Sequence, residues 1–256
     1  MPSWQKKIKM KNILYILLLS TQVFFAQNGF EKGNAYYEKG KYTEAVAAYE
    51  SILKDNKHSS ELYFNLGNAY YKLNQVAPSI YNYEKALVLN PNDKESKNNL
   101  KFAHKRTIDE IKVIPKVGFG KLVRDFTGIY HYNTWGWISV VLAAVFLLFF
   151  IGYYFSKKSL SKRIFFFGMF VVVFVLLITL AAAIVEKNHF VNERPAIVFA
   201  ERTDVKLEPR EGGKPLFSLH EGTKVYVFET IGKWKKIQLT DGTEGWIESS
   251  AIKEVK

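Results

Sequence analysis

The sequence predicts a mixed multi-domain membrane protein in three parts: an all-α repeat domain, a two-helix transmembrane hairpin and a small all-β barrel. Three observations carry that prediction. The stretch beginning at Gly33 restates itself 34 residues later. Two runs, Trp135–Phe155 and Ile164–Val185, hold no Asp, Glu, Lys or Arg over 21 and 22 residues. Residues 196–256 then change to short apolar segments broken by Gly, Asp and Pro.

The chain opens on four lysines and no acid in residues 1–26, followed by the short apolar run Ile13–Phe25 and the sequence FFAQ. This pattern reads as a secretory signal peptide cut after Ala26. Phe24 stands where a small residue is usual, so the alternative is an uncut N-terminal anchor, Met10–Phe25. Either reading exports the segment from residue 27 onward. Overall, 36 Lys and Arg face 24 Asp and Glu, a net charge of +12. Eight of those charges flank apolar runs, in 1–26 and in the loop 156–163. A nucleic-acid binder concentrates its charge on a folded domain, so no nucleic-acid partner is expected.

Residues 27–112 form the repeat domain. Gly33-Asn34-Ala35-Tyr36-Tyr37 aligns with Gly67-Asn68-Ala69-Tyr70-Tyr71, and Tyr49-Glu50 aligns with Tyr83-Glu84. Each copy holds two helical patterns parted by a break. Gly33 and Gly67 let paired helices approach closely, and Tyr49 and Tyr83 fill the space between them. A third helix, about 93–111, follows Pro91 and caps the stack. These residues and their period resemble the tetratricopeptide repeat, a helix–turn–helix unit of 34 residues. Gly33, Ala45, Tyr36 and Tyr49 fall on its small and aromatic positions, as do Gly67, Ala86, Tyr70 and Tyr83. Ser79 departs from it where Ala45 fits, and Lys57 replaces the closing proline in the first copy. The resemblance implies a concave peptide-binding face carrying Asn34, Tyr37, Asn65, Asn68, Tyr71 and Lys72. Asn34 and Asn65 resemble part of a clamp that grips a C-terminal carboxylate in some relatives. Phe30 stands at the clamp's first lysine position, which favours a hydrophobic or mixed peptide.

Residues 113–134 are an amphipathic linker. Leu122, Val123, Phe126, Ile129 and Tyr130 recur at helical spacing. The segment reads as a short helix lying on the membrane surface, or simply as an aromatic linker. Trp135 and Trp137 would then sit at headgroup level. The runs 135–155 and 164–185 are each long enough to cross a hydrocarbon core of about 30 Å as helix. Lys157, Lys158, Lys162 and Arg163 lie in the loop 156–163 and belong on the cytoplasmic side. Residues 27–134 and 186–256 then share the opposite, extracytoplasmic side, as the signal peptide also predicts.

In the last segment, 193–256, Asp241-Gly242 marks a hairpin turn between Lys236-Ile237-Gln238-Leu239 and Glu244-Gly245-Trp246-Ile247. Several short strands within about 60 residues indicate a small barrel. HEGTKVYV, GKWKKIQLTDG and EGWI resemble a bacterial SH3-like domain. That resemblance makes Trp234 and Trp246 a candidate ligand surface, for peptide or for cell-wall material, although a tryptophan such as Trp234 equally serves a barrel core.

No catalytic constellation appears. The five histidines, His58, His104, His131, His189 and His220, show no metal-ligand spacing. GxSxG, a phosphate loop and HExxH are missing, and the absence of Cys excludes thiol chemistry and disulfides. The expectation is a non-enzyme with no cofactor and no metal.

The order of repeats, hairpin and SH3-like tail resembles the BatE-type family of the Bacteroides aerotolerance operons. That resemblance implies partners in the same bilayer, membrane proteins with von Willebrand factor A domains. It also implies the inner membrane of a Gram-negative bacterium, with both folded domains on the periplasmic side, and a scaffold role in oxygen or stress tolerance. The alternative is a cell-wall adaptor that binds peptidoglycan and recruits remodelling enzymes.

Overall fold

The computed structural model describes residues 29–112 and 117–256. The signal or anchor segment 1–26 lies outside the described residues.

Five helices begin the described chain: α1 over 29–38, α2 Tyr42–Lys54, α3 Ser60–Lys72, α4 Val76–Leu89 and α5 Lys94–His104. Local chemistry sets several of their starts. The Ser59 hydroxyl accepts from the Leu62 N–H at 3.1 Å, and Asp93 accepts from the Glu95 N–H at 3.0 Å. Pro78 falls in the first turn of α4, where its missing N–H costs nothing. Ala45, Tyr49, Ile52, Leu62, Leu66 and Ala69 form one core, which joins α2 to α3. The predicted third-helix span of 93–111 shortens to Lys94–His104. The chain leaves the helix because Asp109 is drawn across to the C-terminal sheet.

A short helix, α6 Phe119–Thr127, precedes two long apolar helices, α7 Tyr132–Phe155 and α8 Ser159–Asn192. Both are long and apolar enough to cross a membrane. They pack against each other, with Phe149 lying on Gly168 and Phe165 on Gly152. The Ser139 and Thr179 hydroxyls meet at 2.9 Å. α8 outruns the charge-free segment 164–185 at both ends and, at 34 residues, is about 51 Å long. Trp135 and Trp137, paired in the sequence reading, part company here. Trp135 is buried against Phe126 and Tyr130, whereas Trp137 is exposed.

α8 leads into seven strands: β1 Pro195–Val198, β2 Arg202–Lys206, β3 Pro215–His220, β4 Lys224–Ile231, β5 Trp234–Gln238, β6 Glu244–Glu248 and β7 Ile252–Glu254. The predicted hairpin is present, with Gln238 opposite Glu244. All pairings are antiparallel, in the order β3-β2-β6-β5-β4-β1-β7. The sheet is therefore open, with β3 and β7 at its edges, where the sequence suggested a small barrel. The reason lies in β1, whose four residues are all buried. Ala196 and Val198 face the sheet's own core, while Ile197 points the other way. Ile197 and Val255 pack with Val76, Ala77, Ile80 and Tyr83 of α4. Helix, not strand, covers that end of the sheet.

Repeats and sheet consequently share a core. Tyr81 meets Phe199 edge-on at 5.6 Å, with the Lys253 ammonium 5.1 Å from the Tyr81 ring centre. Glu84 pairs with Lys224 at 2.7 Å in a largely buried site.

Candidate functional site

The groove of the repeats is built from two copies of one hydrogen-bonded triad. Gly33 makes room for the first: a Cβ there would lie 2.3 Å from the Tyr49 ring. Tyr49 therefore lies flat against α1, and its hydroxyl donates to Asn34 Oδ1 at 2.7 Å. Asn65 Nδ2 donates to the same oxygen at 3.0 Å. One repeat later, Gly67 admits the Tyr83 ring. Tyr83 donates to Asn68 Oδ1 at 2.6 Å, and Asn99 Nδ2 donates to it at 2.8 Å.

Each triad consumes one asparagine oxygen twice and leaves other amide groups open. Among the described residues, the amide nitrogens of Asn34 and Asn68 and the amide oxygens of Asn65 and Asn99 have no partner. These are the donors and acceptors that an extended peptide backbone requires. Burial pushes the Tyr49 hydroxyl up to about 12, with help from Tyr37 and Glu38 and against the Asn65 bond. Burial also raises Tyr83. Both phenols stay protonated donors at any ordinary pH.

All six groove residues named from the sequence fall on this surface. Asn34, Tyr37, Asn65 and Asn68 line a cavity of about 160 Å³. Tyr37, Asn68, Tyr71 and Lys72 line an adjoining one of about 280 Å³. Tyr37 is held edge-on by Tyr42 at 5.2 Å. Sequence reasoning missed Asn99, Phe102 and Arg106. Asn99 lies 34 residues after Asn65, so the period itself marks it. Phe102 is half-exposed in the second cavity. The Arg106 guanidinium covers the Tyr71 ring at 3.7 Å and donates to the Tyr71 carbonyl at 3.1 Å. Arg106 also donates to Asn74 Oδ1 at 3.2 Å, which ties the end of α5 to the end of α3.

The two tryptophans lie on one face of the sheet, since Trp246 stands opposite Lys236 and Trp234 opposite Glu248 on the neighbouring strand. Trp234 is 4% exposed, and the Lys206 ammonium lies 4.8 Å from its ring centre. It faces away from the core residues Ile237 and Ile247 and is covered on that other face, beneath Lys206. Trp246 is half-buried opposite Lys206.

A second polar cluster lies at the junction. The Asp109 carboxylate accepts from the His220 N–H at 2.7 Å, His220 Nδ1 at 2.8 Å and the Thr223 hydroxyl at 2.6 Å. The Thr223 hydroxyl is thus bound to the carboxylate and not to the imidazole, so it is not activated as a nucleophile. Burial pushes Asp109 up, yet the bonds from Thr223 and His220 together hold it below its ordinary range. The cluster is a latch between the modules. Among the described residues, no three acidic or imidazole side chains are grouped to hold a metal.

Comparison with known proteins identifies the repeats. A TPR repeat family model matches residues 33–74, and a tetratricopeptide repeat model matches residues 60–93. No curated protein matches the chain.

Proposed function

We propose, from its tetratricopeptide repeats, that the chain is a non-enzymatic membrane-anchored scaffold. Such repeats are protein-interaction modules, and here the groove takes an extended segment of a partner. The observation that carries this reading is the paired triad, Tyr49–Asn34–Asn65 and Tyr83–Asn68–Asn99, with its open amides one repeat apart. Phe102 and Tyr71 beside Arg106 favour a segment with apolar and acidic side chains.

α7 and α8 span the bilayer in this reading. The basic loop between them favours the cytoplasm, which puts repeats and sheet together on the periplasmic side. The sheet is read as an SH3-like module opened by its packing on α4. Tethering in two dimensions raises the effective concentration for partners in the same membrane. The order of modules, which resembles the BatE-type family, makes membrane proteins with von Willebrand factor A domains the first partners to seek.

Affinity purification of tagged full-length protein from mildly solubilised membranes tests this. The comparison is wild type against Asn65→Ala with Asn99→Ala, which keeps both Tyr–Asn bonds. Each lost peptide bond is worth about 1 kcal/mol, so partner recovery drops about tenfold or more. Partners that persist unchanged overturn the groove reading. Recovery of peptidoglycan fragments in their place favours the cell-wall adaptor.

A further inference from the structure

We propose that α6 is a membrane-surface foot, whose Phe119, Leu122 and Phe126 insert into the headgroup–acyl boundary beside the hairpin. The inference rests on the reading that α7 and α8 span the bilayer.

Phe119, Leu122 and Phe126 sit at i, i+3 and i+7, so at about 100° per residue they share one side of the helix. Arg124 falls about 180° from that side, and Lys121 and Asp125 flank it as an ion pair of 3.8 Å. The apolar side chains are uncovered: Phe119 is 80% exposed and Leu122 67%. Val117, just ahead of the helix, is equally bare.

Three contacts decide which way this face points. Arg124 donates through both terminal nitrogens to the Glu193 carboxylate, at 2.5 and 2.7 Å. Glu193 follows the last residue of α8, eight positions beyond the charge-free run that ends at Val185. The polar side of α6 is therefore pulled toward the end of α8 that bears the sheet. Trp135, in the first turn of α7, donates its indole N–H to the Thr127 carbonyl at 2.8 Å. Its ring packs on Phe126 at 5.4 Å. The opposite side of α6 is thus joined to the outer end of the hairpin. With Arg124 turned toward Glu193, Phe119 and Leu122 turn toward the bilayer.

The occupant of this face is lipid, because the helix is tied to the first turn of α7, whose outward side chains are themselves apolar and bare. Phe126 touches Trp135, and on the other side of α7 Trp137, Val140 and Val141 are exposed where acyl chains would lie. From Thr127 to Tyr132 the chain spans at most about 18 Å, so α6 cannot leave the interface while α7 is inserted. A short amphipathic helix held there buries its apolar side at the headgroup boundary. The foot fixes the tilt of the repeat groove above the membrane.

The chain has no Cys, so single-cysteine spin labels report directly. Leu122→Cys, Phe119→Cys, Asp125→Cys and mid-span Leu148→Cys are made in the full chain. Each is placed one copy per nanodisc of phosphatidylcholine and phosphatidylglycerol. Collisions with oxygen and with a water-soluble nickel chelate are then measured. The expected result is loss of nickel collisions at 119, 122 and 148, with 125 remaining accessible. If 148 is shielded but 122 collides with nickel as freely as 125, the foot is overturned and the spanning reading stands. Nickel access at 148 removes the spanning reading and the foot with it. Shielding at 122 that requires two copies per disc assigns the face to a second chain and overturns the lipid proposal.

Discussion

Asp109 and His220, 111 residues apart in the chain, are joined twice: the carboxylate accepts from both the backbone N–H and the ring of the histidine. With the Thr223 hydroxyl they fix the sheet onto the end of the repeats. Asp109→Ala leaves the largely buried His220 N–H and Thr223 hydroxyl without their acceptor. The expected loss is about 2–3 kcal/mol, since the acceptor is charged. Hydrogen exchange in the reconstituted protein checks it: the His220 amide should speed up in the variant, while amides of α2 and α3 hold. The latch also has a pH sign. Its carboxyl is held below the unfolded value, so its contribution is full above about pH 4 and fades as pH falls through the lower, folded value. Acidification below about pH 4 should lower the protection of the same amide, measured against its intrinsic exchange rate, in the wild type.

The repeats demand glycine at Gly33 for space. A Cβ placed there meets the Tyr49 ring at 2.3, 2.6 and 2.9 Å. Gly33→Ala therefore pushes out a ring that is 1% exposed, at an overpacking cost of about 1–3 kcal/mol. It also breaks the first triad, because Tyr49 can no longer reach Asn34. Tyr49→Phe separates the two effects: it deletes the hydroxyl and keeps the ring, for about 1 kcal/mol. Thermal unfolding of the two variants should rank Gly33→Ala below Tyr49→Phe.

These glycines and tyrosines were legible from the sequence because a period of 34 residues is itself structural information. It places Asn34 and Asn68 on equivalent helix faces without any knowledge of contacts, and it extends to Asn99 beyond the break at Pro91. The junction had no such signal. Asp109, His220 and Lys224 are single charged or polar residues outside the matched repeat positions, and Glu84, although it repeats Glu50, carries no sign of its partner. The open sheet was hidden for a related reason. Ile197 and Val255 alternate as any buried strand residues do, and that alternation is the same whether a strand or α4 covers them. α6 lies between these cases: its spacing was readable, but the direction of its apolar side depends on Arg124 meeting Glu193.

The triads carry an alkaline signature. Tyr49 is pushed up to about 12 chiefly by burial, so the folded chain favours its neutral form. Its contribution is complete below the unfolded tyrosine value of about 10 and is lost as pH rises from there through about 12. Spectrophotometric titration of phenolate in the folded protein should find Tyr49 absent from the groups ionising near about pH 10. Its absorbance change should come later, together with those of the other buried phenols Tyr70, Tyr81 and Tyr83, and Tyr49→Phe should shrink that late component by one phenol.

Within the hairpin, packing and hydrogen bonding make different demands. The Ser139 and Thr179 hydroxyls meet at 2.9 Å, but each also reaches a carbonyl of its own helix, Trp135 and Leu176. Removing one leaves the other satisfied, and such bonds in membranes are worth about 0.6 kcal/mol. Gly168 has no such reserve, because a Cβ there would stand 2.4 Å from the Phe149 ring. Gly168→Leu must separate the helices, whereas Ser139→Ala need not move them. Unfolding of the full chain by dodecyl sulfate in mixed micelles distinguishes the two. The midpoint should fall sharply for Gly168→Leu and shift only slightly for Ser139→Ala. Equal shifts would mean that the hydroxyl pair, and not close contact at glycine, sets the hairpin's stability.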